Sequence, residues 1–274
     1  MKWGLGIIAV AVLFTSCSPS LYFPDRVATP GFTAAGQAYL NGSIKPQLGS
    51  LTDSADRKKG SAASGSVEAG YAITDHIAVI GAYRALHNRR VSEDQLDDDI
   101  GGVFNGNRYE IGVGYFGGER DGFMYEFIGG VGFGRIDRTS LHTPQLNFKS
   151  RYNAYFVQAG FGGNWDFFRV NAGLRLAAHD FTSFSSPTPD LRYTIGSGDD
   201  NKRDVTRQLF VFGTPYIDME LGYKFIFLNI QQGMPFQLSG RIVSGAPYYM
   251  TIGLGFRLDP ANWNNQSTNK KLDE

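Results

Sequence analysis

The sequence predicts an all-β fold, an antiparallel up-and-down β-barrel of about ten strands. Three observations carry that expectation. Apolar residues recur with a period of two from about residue 34 onward, glycine and aromatic residues are in excess, and connections alternate strictly between short and long.

The 274 residues include 35 glycines, 21 phenylalanines and 14 tyrosines. Aromatics pack well on a pleated surface and glycine relieves crowding there, so this composition disfavours a helical protein. Lys plus Arg and Asp plus Glu both total 26, which suggests no nucleic-acid partner. After the first residues no apolar run approaches the roughly twenty that a membrane helix needs.

The alternating segments can be taken in order. Weaker ones lie near 35–44, 63–72 and 77–86. In 107–116, Tyr109, Ile111, Val113 and Tyr115 share one face, opposite Arg108, Glu110, Gly112 and Gly114. Tyr125, Phe127, Val131 and Phe133 alternate with Glu126, Gly130, Gly132 and Gly134. Over 151–164, Tyr155, Val157 and Phe161 oppose Gln158, Gly160 and Gly162. Phe168, Val170, Leu174 and Leu176 oppose Arg169, Asn171, Gly173 and Arg175. Ile217, Met219, Leu221 and Tyr223 oppose Asp218, Glu220 and Lys224. A weaker strand lies near 228–234, and the last places Met250, Ile252, Leu254 and Phe256 opposite Thr251, Gly253, Gly255 and Arg257.

The tight connections are expected at Thr74-Asp75-His76, Gly117–Gly122, Trp165-Asp166 and just after Lys224. The long polar ones cover about 45–62, 87–106, 136–150, 180–207 and 235–247. A meander with every turn at one mouth and every loop at the other produces this alternation.

On that strand rhythm, residues 34–258 resemble the small outer-membrane β-barrel proteins of Gram-negative bacteria. The resemblance implies short periplasmic turns, long extracellular loops and both termini periplasmic. It implies partners in outer-membrane lipid and the outer-membrane insertion machinery, with an extracellular partner reached through the loops. Such barrels commonly end on an aromatic of the last strand. Here Phe256 is suitably placed, but a polar tail (259–274) follows. The other orientation is a soluble, lipocalin-like barrel with its apolar face inside. Large aromatics near strand ends (Tyr71, Tyr115, Phe168, Tyr223, Phe256) and glycine mixed with charge opposite them favour the membrane orientation.

The start of the chain adds an address. Lys2 precedes an apolar run from Trp3 to Phe14, too short to span a bilayer and of the proportions of an export signal. Leu13 to Cys17 resembles a bacterial lipoprotein signal, with small Ser16 before the only cysteine. The resemblance implies a signal at 1–16, a lipidated Cys17 and location at the outer membrane. The proline-bearing segment 17–33 is expected as an extended tether into the first strand. The alternative is an ordinary secretory signal.

The face opposite the apolar one gathers Glu68, Arg108, Glu110, Glu126, Arg169, Arg175, Asp218, Glu220, Lys224 and Arg257, with Arg84 on a strand that alternates poorly. Charges in a narrow interior must pair, which predicts a lumen network. Such a network either plugs the barrel, leaving a structural or surface-interaction protein, or lines a narrow pore. No catalysis, cofactor or metal is expected. A rim enzyme would have to use His179-Asp180 with Ser183, Ser185 and Ser186, because His76, His87 and His142 fall in turns or loops. Asp97-Asp98-Asp99 and Asp199-Asp200 lack calcium-loop spacing. Gly129 to Gly134 sits inside a strand, where a phosphate loop does not belong.

Overall fold

The structure, a computed structural model, describes residues 25–45, 60–90, 102–140, 144–165, 167–189, 191, 204–223, 225–239 and 248–260. The strands among them are β1 (Ala38–Lys45), β2 (Gly60–Ala72), β3 (Ile77–Arg90), β4 (Gly102–Gly118), β5 (Gly122–Ser140), β6 (Phe148–Trp165), β7 (Phe168–Ser185), β8 (Leu209–Tyr223), β9 (Ile226–Gly233), β10 (Phe236–Ser239) and β11 (Tyr249–Leu258). All pairings are antiparallel. From β1 to β8 each strand pairs with the next, then β8 with β9, β9 with β11 and β11 with β1. This ring is a closed ten-stranded barrel, and closure leaves no edge to aggregate. The remaining strand, β10, carries β9 onward past Met234-Pro235 and pairs with the upper part of β8.

Turns and loops segregate as the meander requires. At the short-turn mouth, the β2–β3 turn is held by Ile73 N–H donating to the Ile77 carbonyl. Strand β1 begins and β11 ends at this same mouth, where Ala38 pairs with both Tyr71 and Leu258. The connections at the opposite mouth fall largely outside the described residues, as do the signal, Cys17, Lys224, His142, Asp97–Asp99, Asp199-Asp200 and residues 261–274.

The strands are longer than their apolar alternation indicates. β4 to β7 have 17, 19, 18 and 18 residues, against 8 in β1 and 8 in β9. Thus 87–106 and 136–150, expected as loops, are partly strand: β3 runs to Arg90, β4 starts at Gly102 and β5 runs to Ser140. The missed stretches are those where the apolar residues change face. On β5, Phe123, Phe127, Val131 and Phe133 point outward, whereas the next apolar residue, Ile136, points inward beneath exposed Arg135. Tyr155 on β6 gives way to buried Tyr152 and Phe148, with Arg151 and Lys149 outside. A strand whose apolar phase inverts loses its single-face signature and reads as loop.

The outward apolar band therefore has edges. On β5 it runs from Phe123 to Phe133. Ten steps of about 3.4 Å, tilted as membrane strands are, give a height of about 26 Å, the height of an apolar lipid-facing band.

Candidate functional site

Segment 25–33 lies inside the barrel. It was expected as a tether leading to β1; instead it climbs through the lumen and is fixed to the wall at nearly every residue. Phe32 is at the short-turn mouth, packed with Tyr39, Ala72, Ala78, Phe116 and Phe227. Above it Gly31, whose positive φ of 55° suits glycine, passes Arg169 so closely that a Cβ there would strike the guanidinium. Ala28 packs against Ile80, Ile128, Phe156 and Ala177. Asp25, the first described residue, reaches Arg108 at mid-lumen.

A segment without strand partners inside a barrel must find side chains for its backbone groups, and it does. Gln231 brackets Val27, its Oε1 accepting from the Val27 N–H at 2.6 Å and its Nε2 donating to the Val27 carbonyl at 2.8 Å. Gln158 donates to the Ala28 carbonyl at 2.7 Å. Arg84 donates to the Arg26 carbonyl, and Arg169 to the carbonyls of Thr29, Pro30 and Gly31. Glu126 accepts from the Gly31 N–H at 3.3 Å and from Asn171.

Arg26 is the electrostatic centre of this segment. Its guanidinium donates to both carboxylate oxygens of Asp218, at 2.9 and 3.2 Å, and through Nε to Glu68 at 3.1 Å. Asn229, Thr29 and the Tyr39 hydroxyl complete its shell as acceptors.

The wall charges divide between two further nodes. Glu110 faces three arginines: Arg84, Arg108 at 3.0 Å and Arg175 at 2.5 Å. Arg175 also lies 3.9 Å above the Phe156 ring. Glu220 joins Arg169 and Arg257, the latter at 2.8 Å. Around the segment, five wall acids (Glu68, Glu110, Glu126, Asp218, Glu220) stand against five wall arginines (84, 108, 169, 175, 257), the segment adds Asp25 and Arg26, and Arg138 is a further buried arginine, over the Phe104 ring.

Parity along the strands gathers these wall residues on one face. It also identifies what composition alone missed, the inward aromatics. Phe116 is in phase with Glu110, Phe156 with Gln158, Phe227 with Asn229, and each is buried. Inward glycines make their room: a Cβ at Gly130 would meet Phe156, at Gly134 Tyr152, and at Gly233 Tyr249. Arg26 had no such signal, because segment 25–33 has no period.

Above the charges the lumen becomes apolar. Phe104, Ile136, Phe148, Tyr152, Phe181, Phe210 and Phe212 form one cluster, joined by Leu191 and Val205 from the long 180–207 connection. His179 belongs to this region, stacked on Tyr152 at 4.9 Å and edge-on to Phe212. Asp180 follows it on a strand and so faces the other way. His179-Asp180 is therefore not gathered into a single constellation.

The fold defines the class: an all-β, closed, ten-stranded antiparallel barrel with an apolar exterior and an occupied lumen. No protein-family model matches the chain, and no curated protein matches it in sequence. Among solved structures it is similar to the translocator domain of the autotransporter NalP from Neisseria meningitidis, at 13% identity over 81% of this chain and 87% of that one, TM-score 0.43. The transport unit of the autotransporter AIDA-I from Escherichia coli is similar at 11% identity over 88% and 93%, TM-score 0.44. The outer membrane protease OmpT from Escherichia coli is similar at 6% identity over 82% and 95%, TM-score 0.44. Likenesses this distant decide no role.

Proposed function

We propose that this protein is an outer-membrane barrel closed by its own N-terminal segment, a non-conducting scaffold that presents its loops at the cell surface and carries no catalysis. The observation that carries this reading is Arg26, buried at mid-lumen between Asp218 and Glu68 on a segment that fills the interior. The apolar band of about 26 Å fits a bilayer core, and in that setting closed barrels are the β-structures that satisfy every backbone group. Insertion by the outer-membrane machinery, a lipid on Cys17 and an extracellular partner reached through the loops complete the reading.

The pore is the second reading, favoured by one observation: the charges around Glu110 and Glu220 would line a polar channel if segment 25–33 withdrew. Planar-bilayer recordings test the pair. The whole protein is expected to be electrically silent, while deletion of residues 25–33 opens steady current. Single-channel steps from the intact protein would overturn the closed lumen.

A further inference from the structure

A cavity of about 60 Å³ lies at the short-turn mouth, between the turn joining β6 to β7 and the turn joining β8 to β9. Trp165, Phe168 and Phe227 give it an aromatic lining, and its ionised lining among the described residues is Arg169, Glu220 and Arg257. One water needs roughly 10–15 Å³ of such space, so the cavity takes an ion of several heavy atoms.

Two guanidiniums share one carboxylate here. Glu220 accepts from Arg169 through one oxygen and from Arg257 through the other, the latter at 2.8 Å. Both oxygens are thereby engaged, and the lining keeps one positive charge in excess. The neighbouring acids are committed elsewhere. Asp218 is bidentate to Arg26, Glu126 accepts from Gly31 and Asn171, and Asp259 pairs with Arg120 at 3.0 Å.

The two arginines are not equally committed. Arg169 gives its Nη groups to Glu220 and to the carbonyls of Thr29, Pro30 and Gly31. Arg257 uses Nη2 alone, toward Glu220 and the Pro30 carbonyl. Of its five N–H donors, the three on Nε and Nη1 have no acceptor among the described residues. Its Cζ is held 4.9 Å from the centre of the Phe227 ring, and its side chain is 20% exposed. A fixed, accessible guanidinium fork with donors to spare is what a carboxylate recognises.

We infer that this cavity binds a small carboxylate anion, held by the unused donors of Arg257 and flanked by the aromatic lining. A singly charged carboxylate brings the node to two guanidiniums against two carboxylates, whereas a phosphate dianion overshoots it. In the orientation proposed above the short-turn mouth faces the periplasm, so the ligand is a soluble carboxylate of that compartment. Arg169 and Arg257 also hold the Pro30 carbonyl, which puts the ligand beside the end of the lumen segment. The inference adds a binding site to a barrel otherwise read as a closed scaffold, and it rests on that reading only for the Pro30 contacts.

The test is acetate, added to the full-length protein folded in detergent and followed by nuclear magnetic resonance. The expected result is saturable binding, with magnetisation passing between the acetate methyl and the rings of Trp165 and Phe227. Equal concentrations of chloride should not displace it. Arg257→Gln should weaken binding by about tenfold or more through the lost charge-assisted hydrogen bonds, in protein that still shifts on boiling. If that variant does not fold, Arg257→Lys takes its place, keeping the charge but losing the fork, with the same expectation. No saturable binding, binding without contact to these rings, or equal binding to the folded variant would overturn the inference. Bilayer recordings keep this separate from the closed lumen. Current from the intact protein with acetate in the cavity sinks the closed lumen alone, while silence without acetate binding sinks the site alone.

Discussion

The lower and upper tiers of this barrel are built inside out with respect to each other. In the lower tier, aromatics and branched aliphatics such as Ile111, Phe127 and Val157 face outward, while the interior gathers the paired arginines and carboxylates around the Phe32 and Ala28 clusters. In the upper tier, Arg135, Lys149 and Arg151 face outward, while Phe104, Phe148, Phe181 and Phe210 fill the interior. The same continuous strands serve both, and the inversion falls where the outer apolar band ends. The lower tier, with its apolar outer face, closes its interior by charge pairing around small apolar clusters at Phe32 and Ala28. The upper tier, with its polar outer face, is held like an ordinary soluble barrel, by burying apolar side chains. The occupied lumen follows from this contrast: a polar interior leaves backbone-bonding groups free to grip a strand without partners.

Changes that carry one tier's chemistry into the other should be the most damaging. The largest effect is expected for Glu110→Ala, which leaves Arg84, Arg108 and Arg175 without their shared carboxylate. The loss should be about 5 kcal/mol, read as a fall in the denaturant midpoint of the detergent-folded barrel. Phe181→Ala in the upper cluster should cost about 4 kcal/mol through the cavity it opens, with no change in conductance, which separates it from the lumen network. Ile111→Arg, mid-band on the outer face, should cost about 3 kcal/mol in lipid but far less in a short-chain detergent. A similar cost in both solvents would break the claim that lipid meets this face. Lys149→Ala, on the outer face above the band, should stay within about 0.5 kcal/mol.

How much of this was legible in the sequence follows from the same contrast. Ten strands and the inward parity of Glu68, Glu110, Glu126, Arg169, Arg175, Asp218, Glu220 and Arg257 could be read wherever one face stayed apolar over a whole segment. The upper tier was hidden because its apolar phase inverts: Ile136 falls on the parity of Glu126, and Phe148 and Tyr152 on that of Gln158, so regular strand resembles polar loop. Segment 25–33 was hidden for another reason. With Pro24 before it and Pro30 within it, it forms no regular element, and its partners (Gln158, Asp218, Gln231) lie far along the chain. Nothing local distinguishes Arg26 from a surface arginine.

The central claim is that residues 25–33 occupy the lumen of the folded barrel, and proximity tests it most directly. Ala28 and Gln158 are joined by a 2.7 Å hydrogen bond across the interior. With both changed to cysteine in outer-membrane fractions, a short thiol cross-linker should join them within one chain, in protein that still shifts on boiling. A folded barrel in which this pair stays unlinked, while a cysteine pair between neighbouring strands such as Asn171 and Asp218 links readily, would contradict the account.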